Sequence, residues 1–134
     1  MAVSESARLV AFDADSALAA VREVTDDAVL LSVEYTPEEF HVLHADEVTL
    51  SLYADREAME DHFSEVHSYV HVDFTEKGLF EELFRGAGEV RSFVTVMEHV
   101  ILVRVLVDGE GIFFTLAPDA DVTATVEAVE AELR

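Results

Sequence analysis

The chain has no cysteine and no tryptophan, one lysine (Lys77), two prolines and five glycines in 134 residues. The missing cysteine excludes disulfides, thiolate nucleophiles and cysteine-based metal sites together. The few glycines form neither a P-loop nor a dinucleotide fingerprint, and there is no HExxH helix and no Gly-x-Ser-x-Gly elbow. No stretch reaches the ~18 consecutive apolar residues of a membrane-spanning helix. The opening MAVSESARLV has no basic segment ahead of an apolar one, so no secretory signal is expected. The expectation is a cytoplasmic protein without a membrane partner. Basic residues number eight against 29 acids, a net charge of −21. With no basic cluster to release counterions from a phosphate backbone, nucleic acid is not expected as a partner either.

What is present is an apolar share of 51% with nine phenylalanines. That is enough to build the core of one domain, 1–134, without a metal or disulfide staple. Acids that coexist with so much apolar pattern coat a folded surface and do not mark disorder. At molar salt the Debye length falls to ~3 Å, which screens the self-repulsion such a surface generates in dilute buffer. This acid-rich, lysine-poor composition resembles that of proteins from salt-in halophilic archaea. The acids read as a solvated halophilic face or as a site for a basic partner or cation.

The densest β-branched and aromatic block runs over 89–116, EVRSFVTVMEHVILVRVLVDGEGIFFTL. It is broken only at Glu98-His99 and at Asp108-Gly109-Glu110-Gly111, and predicts three antiparallel strands joined by tight turns. In the middle strand Ile101, Val103, Val105 and Val107 share one face, and Val100, Leu102, Arg104 and Leu106 the other. Both faces are apolar, so this strand is covered on both sides or lies in an interface. Upstream, AVLLSVEYT (28–36) and EEFHVLHA (38–45) predict a hairpin, with Phe40, Val42 and His44 facing one way and His41 and Leu43 the other.

Helices are expected over 16–23, capped by Asp13 or Asp15, and over 54–66, capped by Asp55 with Met59, Phe63 and Val66 as its apolar stripe. Another follows a Thr75 cap and presents Leu79, Phe80, Leu83 and Phe84; a last one carries Val122, Val126, Val129 and Leu133. Two stretches stay open: 46–53 is a strand or an extended lead-in, and 66–74 is a helix continuation or a short strand. The fold class is therefore α+β, an antiparallel sheet of five strands with a sixth left open, in the order α-β-β-α-α-β-β-β-α. The middle helices should cover one face and the terminal helices the other.

That order of hairpin, helical excursion, three-strand meander and closing helix resembles the roadblock/profilin-like fold. Two stretches, VEYTPEEFHVLHADE and EVRSFVTVMEHVILVRVLVDGEGIFFTLAPDADV, are also similar to a family of small acidic haloarchaeal proteins of unassigned function. The roadblock resemblance implies a non-enzymatic, homodimeric platform for a small GTPase or other signalling partner. It implies pairing through the first meander strand and the middle helix, here 89–97 and 54–66, which nominates Arg91, Phe93, Thr95 and Met97.

Side-chain chemistry adds two candidates. His67 and His71 fall on one face whether their segment is helical or extended, and with Glu65 or Asp73 they are the candidate ligands for a divalent metal. The bland alternative is two histidines near a helix end. Arg104 is a charge among Val, Leu and Ile on a central strand, costly unless paired. It snorkels to the sheet rim, pairs with an acid such as Glu34, anchors an interface or receives an acidic ligand group, and with Arg91 it would form a small positive island. Paired carboxylates are so common here that they point to no general acid or base, and no cofactor and no catalytic residue are expected. The alternative function is a small-molecule or metal-sensing domain using His67 and His71.

Overall fold

A computed structural model describes residues 2–133. Local chemistry sets the helix starts. Asp13 caps α1 (Ala14–Val24) by accepting from the Ser16 N–H at 3.0 Å, and Asp55 caps α3 (Arg56–His67) by accepting from Ala58 at 2.8 Å. The remaining elements are β1 (Val3–Ser4), β2 (Val29–Tyr35), β3 (Phe40–Ala45), α2 (Glu47–Leu50), α4 (His71–Leu83), β4 (Ser92–Val96), β5 (Ile101–Val107), β6 (Glu110–Leu116) and α5 (Val122–Leu133). All six strands form one antiparallel sheet in the order β1-β3-β2-β6-β5-β4. Among the described residues no helix is long and apolar enough to cross a membrane.

The α+β class and the hairpin-plus-meander sheet are as expected, and both faces of the sheet carry helix. On one face α1 and α5 bury Ala14, Ala17, Leu18, Val21 and Val129 against Ile101, Val103, Val105, Ile112, Phe114 and Leu116. On the other, Met59 of α3 packs with Leu31, Val33, Val42 and Ala45, flanked by Phe40, Tyr53, Phe63 and Phe113. These two apolar layers are the core, and the period-two pattern of β5 and β6 feeds both.

Several expectations are corrected. The sixth strand is not 46–53 but the N-terminal Val3–Ser4, which adds to β3. Residues 46–53 instead form a single helical turn, capped by Asp46 and tied down where the Thr49 hydroxyl donates to Leu30 O. The open stretch 66–74 is no strand and no unbroken continuation: α3 ends at His67, 68–70 turn, and α4 begins at His71. Thr75 is not a cap, since its hydroxyl donates back to the His71 carbonyl inside α4.

Between β2 and β3 the register shifts, with Ser32 opposite His44 but Val33 opposite Val42, so Leu43 is an extra residue. A bulge of this kind reverses the alternation beyond it. His44 therefore shares the face of His41, because their partners Ser32 and Glu34 lie two apart on β2. Finally, the apolar face of α4 is not covered: Leu79, Phe80, Leu83 and Phe84 are all exposed.

Tyr35 pairs with Gly111 across β2 and β6, and its ring lies where a side chain at 111 would stand. A Cβ added at Gly111 would sit 2.5 Å from the Tyr35 ring, whereas one at Gly78 in α4 would meet nothing within 4 Å. Gly111→Ala is expected to cost about 1–3 kcal/mol by overpacking. Gly78→Ala should gain about 0.5–1 kcal/mol from helix propensity. Urea midpoints of the two variants should move in opposite directions, and equal shifts would contradict this packing.

Candidate functional site

The helical layer on the second face is incomplete. Helix α3 sits over β2 and β3, and α4 leaves toward β4, so the sheet between them forms the floor of a groove. Its volume is about 460 Å³. Val33, Tyr35, Leu102, Arg104, Phe113 and Thr115 line the floor, while Phe63, Val66, His67, Tyr69, Val70, Val72 and Asp73 form the wall. The floor residues alternate with core residues of the opposite layer, so the two-sided apolar strands are what make it.

One polar line crosses this apolar site. The Tyr35 hydroxyl donates to Asp73 Oδ2 at 2.9 Å, and Arg104 Nη1 donates to Asp73 Oδ1. The guanidinium also lies over the Phe93 ring, 5.0 Å from its centroid. Burial, with the Asp73 carboxylate beside it, pushes the Tyr35 hydroxyl pKa far above its ordinary value of 10. Tyr35 is therefore a fixed donor across the usual pH range. Arg104 does pair with an acid as expected, but the acid is Asp73 and not Glu34, which lies on the opposite face of the sheet.

The nominated residues separate. His67 is in the groove wall, with Nε2–H donating to Thr36 O at 2.8 Å and its ring 5.5 Å from Phe40. His71, beyond the turn, donates through Nδ1 to Ser68 O at 3.3 Å. These bonds leave Nδ1 of His67 and Nε2 of His71 as the available lone pairs. Among the described residues no three His, Asp or Glu side chains gather in a metal-binding group.

Arg91 reaches Glu130 on α5 at 3.5 Å while Arg104 is tied to Asp73 on α4. The positive island is therefore not formed: each guanidinium meets an acid on a different helix. Phe93 is half-buried, 6.0 Å from Phe80. Thr95 and Met97 are exposed, and so are Val94 and Val96, which sequence reasoning did not single out.

A second polar cluster, also missed, lies on the opposite face. The fully buried Glu34 accepts from the backbone N–H groups of Arg8, Leu9 and Val10 at 2.9–3.0 Å and meets His41 Nδ1 at 2.7 Å. His41 Nε2 meets Glu5 at 2.9 Å, and Glu5 in turn is bonded to Arg56. One carboxylate thus clasps the N-terminal segment to β2 and β3. Burial alone would raise the Glu34 pKa, but the bonds from His41 and the backbone outweigh it and hold the pKa below its ordinary value. At Glu5 the bond from His41, then that from Arg56, lowers the pKa to about 2. The signal available in sequence was an acid flanked by Val33 and Tyr35 inside a strand with two apolar faces.

Both carboxylates bind protons less readily in the folded than in the unfolded chain. Their stabilisation is therefore complete above the ordinary carboxylate pKa of 4.5 and is lost as pH falls through each lowered pKa, which for Glu5 is about 2. Glu34→Gln is expected to cost about 2–3 kcal/mol at neutral pH and to flatten the loss of stability as pH falls below 4.5. Urea midpoints across that range check it, and an unchanged acid limb would refute the clasp. No known family model and no curated protein matches the chain.

Proposed function

We propose that this protein is a non-enzymatic regulatory and interaction module of a halophilic archaeon, cytoplasmic and homodimeric, with two copies meeting at β4. One observation carries the reading: β4 is an edge strand of five uncharged residues, SFVTV, on a protein with 29 acids. The opposite edge is managed differently, by a two-residue β1 followed by Glu5 and its partner Arg56. Edges left long and uncharged are templates for pairing.

The ladder supports a specific register. Leu106 N donates to Arg91 O and Met97 N to Val100 O. In a regular antiparallel ladder this turns the backbone groups of Ser92, Val94 and Val96 outward. A two-fold axis at Val94 would set Ser92 against Val96 and Glu89 against His99, a self-complementary arrangement. Exposed Val94, Val96 and Met97, with Leu79 and Leu83 of α4 and Phe84 just past its end, supply apolar area beside the strand.

The groove supports a non-catalytic reading, because its ionisable side chains have structural partners: Asp73 holds Tyr35 and Arg104, and His67 holds Thr36 O. A small GTPase or sensory protein is the partner class that the roadblock resemblance implies. The alternative, a sensing domain using His67 and His71, draws support from the place of His67 in the groove wall.

Sedimentation equilibrium tests the dimer. A dimer is expected at molar salt, weakening as dilution of salt restores repulsion between two −21 chains. Val96 is 74% exposed, so Val96→Asp should leave the circular dichroism unchanged while weakening association at least about tenfold. A wild-type chain that stays monomeric at molar salt and high protein concentration would sink the reading.

A further inference from the structure

We propose that the groove floored by β2, β5 and β6 is a binding site for a neutral, mostly apolar small molecule with one hydrogen-bond acceptor, such as a ketone, ester or amide on an aliphatic or aromatic body. Its volume of about 460 Å³ lies within the range of small-molecule pockets, ~300–1,000 Å³. Val33, Phe63, Val66, Leu102 and Phe113 give it apolar walls. Such walls select for an apolar body and do not by themselves fix its chemistry.

The polar group at the floor does. A guanidinium has five N–H donors, and among the described residues the hydrogen-bond acceptor of Arg104 is Asp73 alone, while the side chain stays part-exposed where it lines the groove, through atoms other than the buried Nε. Donor capacity therefore remains at one end of an apolar cavity, which calls for an acceptor. The charge of Arg104 is already balanced by Asp73, and Asp73 is itself engaged by Tyr35. An anionic ligand would place a second negative charge beside Asp73 on a chain of net charge −21. A cationic one would face Arg104. A neutral acceptor meets the free donors without disturbing the pair, and desolvating it against a charged donor gives selectivity over a plain hydrocarbon.

The wall has the means to admit such a molecule. Val66, Tyr69 and Val72 around the α3–α4 turn are exposed although they line the groove, and α4 starts at this turn without a side-chain cap.

Nile red, a neutral dye with a ring carbonyl, is the probe, titrated into the full chain at molar salt. A saturable blue-shifted signal at one dye per chain is expected. In competition, 2-octanone should displace the dye at concentrations at least about tenfold lower than octanoate, which sets a second anion beside Asp73, or octylammonium, which brings a cation to Arg104 and no acceptor. Arg104→Lys keeps a cation for Asp73 but removes the planar fork and its spare donors, and should weaken displacement by 2-octanone while octanoate stays the poorer competitor. Val66→Trp fills the mouth and should abolish dye binding, whereas Val96→Asp at the sheet edge should leave it unchanged even where it dissociates the dimer. The proposal is overturned if no saturable signal appears, if octanoate competes as well as the ketone, or if Val96→Asp and not Val66→Trp removes the signal.

Discussion

The pairing of β2 with β6 is the constraint on which the rest of the molecule depends. It is the one ladder that joins the hairpin to the meander, and its register runs from Val29 opposite Leu116 to Tyr35 opposite Gly111. Consecutive residues of β2 then serve opposite faces. Glu34 turns toward the N-terminal segment and takes its backbone donors, while Tyr35 turns over Gly111 and takes Asp73. A slip of one residue would exchange those faces, placing a carboxylate in the groove and a ring where the clasp lies. Two incompatible side chains thus hold the register more firmly than an apolar pattern alone would.

The same pairing organises the internal charges. A buried carboxylate or guanidinium is costly unless its partners are complete, and both internal clusters are nearly closed sets. Glu34 has three backbone donors and His41; Asp73 has Tyr35 and Arg104. These clusters fix geometry more than they add stability, since removing either partner strands the other. The many remaining acids lie outside this network and set how the molecule responds to salt.

How much of this was legible follows from the range of the forces. Asp13 and Asp55 as caps, the strands of 89–116 and the two-sided β5 were readable because capping and period-two burial are local. The strand Val3–Ser4 was not, because two residues become a strand only through the β3 edge they meet. The bulge at Leu43 has no glycine or proline to announce it. Asp73 as the partner of Arg104 was hidden by a separation of 31 residues in a segment whose secondary structure was ambiguous. Helix α4 has the apolar stripe of a buried helix, yet α3 already covers the β2–β3 half of that face, so the stripe points to solvent. The groove itself is a gap between two helices, and no residue pattern encodes a gap.

The manner in which α4 is attached has a consequence for how the molecule moves. Its one buried residue is Asp73, so this helix is moored mainly by polar contacts: Asp73 to Tyr35 and Arg104, Glu81 accepting from the Val90 N–H, and Lys77 beside Glu89, with Phe80 against Phe93 as a side contact. Helices α1 and α5 are instead embedded in the larger apolar layer. Sub-global opening is cheapest where buried apolar contact is least, so α4 is the element expected to open below the cost of global unfolding. Apolar association weakens on cooling, whereas a charged mooring does not depend on that driving force. The chain thus joins a sheet held by apolar burial to a wall held by polar contacts, whose attachment obeys a different temperature law.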